Sequence, residues 1–249
     1  MKIIFPELNH NTIAKQAIAH FPDIDFVPAD SLIEATTILQ QGTADSMISG
    51  LDYSSRDVLM AYKDHLQLKS QFFTSCFICE KNNQILAIAD GGVIKHPTKE
   101  QFYTIIEDTA NTYRTFTDRQ PKIALLAFST KGSGAKDASE FQTYYDCIHE
   151  VNKNHPDWLI DGELQLDAAI NPQVAQKKSP NSPLQGQANI LITPDLNSGN
   201  ILYKSLEQFG GFTIAGPLIQ GFEIPLADLS RGSTIEDTIL TIKVLRSLL

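Results

Sequence analysis

The sequence predicts an α/β fold built on a mainly parallel sheet, and three observations carry that prediction. Strand-like and helix-like patterns alternate through almost the whole chain, which is the sequence form of a layered α/β protein. A polar Lys81-Asn82-Asn83 turn joins two apolar runs, FFTSCFICE and QILAIADGG, as an antiparallel pair that interrupts the alternation. Asp195, Asn197 and Asn200 cluster at the carboxyl end of an apolar strand, where open α/β sheets place ligands.

Residues 1–5 read as a strand stopped by Pro6, 12–20 as a helix, 24–27 as a strand, and 31–41 as a helix capped by Asp30 or Ser31. A third strand over 45–50 (DSMISG) closes in a glycine turn, and a helix follows over 55–65. After the antiparallel pair, Thr98 behind Pro97 opens a long helix through Arg114. PKIALLAFS is a buried strand running into TKGSGAKD, a glycine-rich turn with unhindered N–H groups but without the GxxxxGK[ST] order of a Walker A loop. A helix over 138–152 leads to LIDGELQLDAA, where Asp161, Glu163, Gln165 and Asp167 alternate on one strand face. Metal ligation and hydrogen bonding to turns both fit those four. QKKSPNSPLQGQ reads as a mobile or clamping surface loop, and ANILITPDLNSGNILYK as strand, turn and helix. FTIAGPLIQG is the last strand, and DLSRGSTIED leads into the last helix.

With 249 residues, one large or two moderate domains are expected, and the antiparallel pair marks a domain change near residue 65. A net charge of −9 leaves no basic surplus for non-specific nucleic-acid binding. No apolar run is long enough to span a bilayer, and the N-terminus lacks the pattern of a signal peptide. Three cysteines make no even disulfide framework, which points to a reducing cytoplasm. Cys76 and Cys79 form a CxxC, but residues three apart on a strand face opposite sides, which argues against a shared zinc or redox site.

The chemistry concentrates in DLSRGSTIED. Ser233 with Glu236 three residues on reads as a capping box, and Ile235, Ile239, Ile242 and Leu245 recur at helical spacing. A helix N-terminus with Arg231 beside it suits a phosphate, since unpaired N–H groups and a planar guanidinium both match its oxygens. Asp237 then falls in the first turn, either as an acid favoured by the helix dipole or as a catalytic base.

The ordered series AFSTKGSG, DGELQLDAA, ANILITPDLNSGNILYK, GPLIQG and DLSRG resembles the phosphate acetyltransferase family and its phosphate butyryltransferase relatives, from about residue 44 onward. The resemblance implies two αβα domains with a cleft between them, similar to the isocitrate and isopropylmalate dehydrogenase fold. The first would comprise 1–65 plus 219–249 and the second 66–218. It implies reversible acetyl transfer between coenzyme A and phosphate in a homodimer, with CoA as a substrate, no permanently bound cofactor and no metal at the reacting centre. By the same resemblance Arg231 binds the phosphate of acetyl phosphate, Ser230 hydrogen-bonds the reacting groups, and Asp237 accepts the CoA thiol proton. Ser129 and Thr130 would sit at the phosphate end, with Asn200 and Lys204 nearby. The N–H groups of Gly232 and Ser233 are candidate oxyanion donors.

Some positions depart from the family pattern. The front of the chain is short. The Arg linked to CoA binding aligns with Met60, and Arg56, one turn earlier on the same helical face, is its candidate replacement. The family's Cys after SRG is Ser233, and the Asn before DLSRG is Ala227. The Ser233 change removes a thiol nucleophile but leaves direct attack by CoA intact. These departures also fit a second reading: a non-catalytic relative that binds acyl phosphate, phosphate or CoA as a regulatory or accessory subunit.

Overall fold

The structure, a computed structural model, describes residues 1–134 and 137–249, so Ala135 and Lys136 of the TKGSGAKD turn lie outside the described residues. The chain begins in strict alternation: β1 (Lys2–Ile4), α1 (Thr12–Ile18), β2 (Asp25–Val27), α2 (Leu32–Gln40), β3 (Ser46–Ser49) and α3 (Ser55–His65). Asn11, Ser31 and Ser54 cap these helices, each accepting the N–H three residues on, and Ser31 is one of the two caps the sequence offers for α2. β4 (Thr74–Lys81) and β5 (Gln84–Ala89) pair antiparallel around Asn82 and Asn83, both at positive φ, a conformation that Asn tolerates better than most residues. α4 (Lys99–Thr117) opens with a Thr98–Gln101 capping box. Then follow β6 (Lys122–Leu126), α5 (Gln142–Asn154), β7 (Leu159–Leu164), α6 (Leu166–Ile170), α7 (Pro172–Lys178), β8 (Ile190–Ile192), α8 (Leu196–Gln208), β9 (Thr213–Gln220), β10 (Leu226–Asp228) and α9 (Ile235–Ser247).

All ten strands form one sheet in the order β2-β1-β3-β10-β9-β4-β5-β8-β6-β7. The first four run parallel to one another, as do the last four, while β9 and β4 are antiparallel to their neighbours. The two parallel groups therefore point in opposite directions. Register decides where their carboxyl ends stop: Ala227 pairs with Leu218, Leu218 with Cys76, and Cys76 with Ala89. One row thus crosses four strands, and the chain leaves β10 and β5 at the same level, from opposite sides, midway along β9 and β4.

Helices cover both faces. α1, α4, α5 and α9 pack over a core that includes Cys76, Ile105, Ile123 and Leu245. On the other face α2 and α3 cover Met47 and Leu226, and α6, α7 and α8 cover Phe77, Cys79 and Leu191. Cys76 and Cys79 do face opposite sides, both are free, and burial pushes both thiols up. Among the described residues no helix is long and apolar enough to cross a membrane.

Several expectations need correction. FTIAGPLIQG is not the last strand, because the chain turns at Gly221 and adds β10, three residues long and fully buried. The helix expected from residue 138 starts as a 3-10 turn over Ala138–Phe141 before α5. β7 ends at Leu164 after a register shift, so Gln165 and Asp167 leave the strand and do not share a face with Asp161 and Glu163. QKKSPNSPLQGQ begins inside α7 and then packs down, with Leu184 only 1% exposed, so it is no mobile loop.

Candidate active site

A cavity of about 370 Å³ opens over the row where the two carboxyl ends meet, a size suited to a small ligand. One wall comes from Tyr53 and Ser55 at the entry to α3 and from Asp228, the last residue of β10, through Arg231. The opposite wall comes from Gly91 and Gly92 after β5 and from Asn200 and Lys204 of α8. Phe77 and Pro217 of the central strands lie between them, and Tyr203 stacks on Phe77 with ring centroids 3.8 Å apart.

The SRG loop is held by its own hydroxyls. The Ser230 carbonyl accepts the Ser233 N–H at 2.9 Å, Ser230 Oγ accepts the Gly232 N–H at 3.2 Å, and Ser233 Oγ accepts the Ser230 N–H at 3.1 Å. The Gly232 and Ser233 N–H groups are therefore engaged within the loop, so neither is a ready oxyanion donor. Arg231 projects from this tight turn, exposed, into the cavity wall.

The capping box is one residue later than the sequence suggested. Thr234, not Ser233, is the N-cap, and Asp237, not Glu236, completes the box. Asp237 Oδ2 accepts the Thr234 N–H at 2.8 Å and its hydroxyl at 2.7 Å, while Oδ1 accepts the Ile214 N–H at 2.7 Å. This carboxylate, 4% exposed and outside the cavity lining, ties the start of α9 to the start of β9. Three of its roughly four lone-pair positions are filled.

On the opposite wall, Asn200 donates to the Gly91 carbonyl at 3.1 Å, and Lys204 Nζ lies 5.0 Å from the Tyr203 ring centroid. A side chain on Gly199 would strike the Asp90 carbonyl oxygen, so the GN of the PDLNSGN motif lets α8 press against the loop after β5. Asp90 organises that loop: its carboxylate accepts the N–H groups of Ser75, Gly92, Val93 and Ile94 and the Ser75 hydroxyl.

Ser129 and Thr130 do not join the cavity lining. Both are buried, with Ser129 Oγ donating to Glu163 at 3.1 Å and Thr130 Oγ1 accepting the Gln165 N–H at 2.9 Å, so they brace the turn after β6 against the end of β7. Arg56 is exposed in the first turn of α3, one residue past Ser55 and outside the lining, with Met60 exposed one turn on. Among the described residues no three His, Cys, Asp or Glu side chains group as a metal site.

Sequence reasoning passed over Asp228. Its side chain is fully buried against the cavity, and among the described residues neither carboxylate oxygen has a hydrogen-bond partner. Burial raises its pKa to about 7, the nearby Ser55 hydroxyl offsets part of that rise without making a hydrogen bond, and the charge of Glu7 adds to it. Glu7, also fully buried and raised chiefly by burial, accepts the Gly50 N–H at 2.7 Å and the Ser49 hydroxyl at 3.1 Å through Oε1. The only sequence signal was position, an Asp directly before the SRG loop.

The chain is 38% identical to a phosphate acetyltransferase of Treponema pallidum (strain Nichols), over 84% of this chain and 65% of that protein. It thus spans less than two thirds of the length of this curated relative. A phosphotransacetylase structure from Streptococcus pyogenes superposes with a TM-score of 0.86 at 27% identity, covering 100% of this chain and 93% of that one. A putative 4-hydroxythreonine-4-phosphate dehydrogenase from Salmonella typhimurium superposes at 0.59 with 11% identity, over 100% of this chain and 99% of that one, which shows the dehydrogenase-like fold alone. With residues 3–245 matching the family described as phosphate acetyl/butaryl transferase, the chain belongs to that family.

Proposed function

We propose that the chain transfers an acetyl or short acyl group between coenzyme A and phosphate. The observation that carries this reading is the convergence of Ser230, Arg231, Asn200 and Lys204 from two opposed chain crossings on one cavity. Arg231 and Lys204 are its cationic side chains, and a fork-shaped donor beside a point charge suits a phosphoryl group held by several oxygens. In the forward direction the CoA sulfur bonds to the acyl carbonyl carbon, the bond from that carbon to the phosphate oxygen breaks, and phosphate leaves with the electron pair. Arg231 neutralises the charge gathering on the leaving phosphate, and the Ser230 hydroxyl hydrogen-bonds the reacting groups.

Asp237 is the thiol-proton acceptor by family resemblance. Its three hydrogen bonds support a second contribution, holding the SRG loop and α9 in place, and the variant Asp237→Asn separates the two. Arg56, exposed beside Ser55 in the first turn of α3, is the candidate contact for CoA. Ser129 and Thr130 act from behind the wall, by fixing the turn after β6. The lobes flanking the cavity are 1–65 with 219–249, and 66–218, and the working form is a cytoplasmic homodimer without a resident cofactor.

Coupled turnover of acetyl phosphate and CoA by purified protein tests the reading, with CoA disulfide formation excluded. Turnover that drops about 10³-fold in Arg231→Ala supports it, in line with the loss of one preorganised charge-stabilising group. Ligand binding without turnover would instead support the accessory-subunit reading. Light scattering of the same preparation checks the dimer.

A further inference from the structure

β9 changes register at the GPL of GPLIQG. Against β4, Leu218 pairs with Cys76 and Ala215 with Ile78, so two residues, Gly216 and Pro217, oppose the single Phe77. That extra residue makes a β-bulge. Ala215 and Leu218, three apart, consequently face the same core, where an unbroken strand period would put them on opposite sides of the sheet. β9 lies between β10 and β4, and a proline within such a central strand is confined to a bulge because it has no N–H for the ladder. The bulge turns Pro217 into the cavity and leaves Leu218 on the far face of the sheet.

Phe77, opposite the bulge, lines the cavity beside Pro217 and has little room to withdraw. It is 1% exposed, and its ring stacks on Tyr203 at an interplanar angle of 17°. The loop after β5 crosses both residues closely: a Cβ on Gly91 would come to 3.0 Å from the Phe77 ring, and one on Gly92 to 3.4 Å from Pro217 Cβ. The floor of the cavity is thus apolar and backed by a second ring, while the side chains suited to a phosphate, Arg231, Lys204 and Ser230, stand on the walls.

Resting on the acyl-transfer reading, we propose that Phe77 and Pro217 set the acyl chain length. The methyl of an acetyl group packs on this floor while the walls hold its phosphate, and a longer straight chain runs into the ring and the bulge. A ring held between Tyr203 and the loop after β5 does not move aside for an added methylene without forcing its neighbours out of place. Acetyl is therefore the preferred group, and propionyl and butyryl are rejected in turn.

The experiment compares kcat/KM for acetyl, propionyl and butyryl phosphate with CoA, in the wild type, Phe77→Leu and Pro217→Ala, with circular dichroism as the control for folding. In the wild type each added methylene should cost about 10- to 200-fold, the range for one methylene at a hydrophobic pocket. In either variant the butyryl-to-acetyl ratio should rise by about 10-fold or more, whatever happens to acetyl turnover itself. A wild type that takes butyryl as readily as acetyl overturns the proposal even if neither variant folds, and a ratio unchanged in a folded variant overturns the assignment of that residue. Either result leaves the acyl-transfer reading standing. A folded wild type that turns over none of the three acyl phosphates overturns that reading, and the role of the floor with it.

Discussion

The loops after β5 and β10 leave one level of one sheet from opposite sides, and each begins with a buried aspartate, but they treat that aspartate differently. Asp90 accepts four backbone N–H groups and a hydroxyl, and burial still leaves its pKa raised, with these bonds offsetting only part of the rise. Asp228 has no such set of donors, and its pKa stays at about 7. One carboxylate shapes its loop and the other leaves the shaping to the hydroxyls of Ser230 and Ser233. Burial alone therefore does not say what an acid does. The donors around it separate a carboxylate that shapes its loop from one left without partners.

Several variants would break or sharpen this contrast. The largest effect is expected from Asp90→Ala, which strands five donors around one buried position and should cost about 5 kcal/mol of stability, read by urea unfolding. The next concerns pH. Asp228 binds its proton more tightly folded than unfolded, so its contribution to stability is greatest below the unfolded value near 4 and is lost as pH rises to about 7. That loss is roughly 4 kcal/mol, so Asp228→Asn should match the wild type near pH 4 and exceed its stability at pH 8 by a margin of that order, less the cost of the buried amide. Equal destabilisation by the Asp90 and Asp228 variants would erase the distinction.

Smaller changes test the glycines behind each loop. Gly199→Ala in a helix would ordinarily gain about 1 kcal/mol, but here it should lose about 2 kcal/mol against the Asp90 carbonyl. Gly50→Ala should lose a similar amount, about 2–3 kcal/mol, through its positive φ and its approach to Asp228 and Leu229. Gly232→Ala, with only Ser230 Oγ within reach at 3.8 Å, should stay within about 0.5 kcal/mol. Thermal or urea melts of the three variants rank them.

Local signals in the sequence were read well where side chains speak to their own neighbourhood. The α3 bounds, the Thr98 cap and the opposite facing of Cys76 and Cys79 follow from hydroxyl caps and strand period. β10 was missed because three residues after Pro225 carry too little periodicity to read, although pairing on both sides makes them a central strand. The cap of α9 slipped by one because Ser233 and Thr234 each have an acid three residues on, and only tertiary packing of Asp237 against the Ile214 N–H separates them. Of the residues named from the resemblance, Ser230, Arg231, Asn200 and Lys204 line one cavity, while Ser129, Thr130, Arg56 and Asp237 stand outside its lining. Asp228 could not be singled out, since what sets it apart is a lack of partners, which no sequence displays.

The row from Ala227 through Leu218 and Cys76 to Ala89 also sets a width. Three inter-strand steps of about 4.8 Å place the two loops roughly 14 Å apart, and that spacing is enforced by main-chain hydrogen bonds. The flanking halves cannot slide apart or together along that row without breaking the ladder. Any closing of the cavity must therefore be a rotation, with β9 and β4 as its axle.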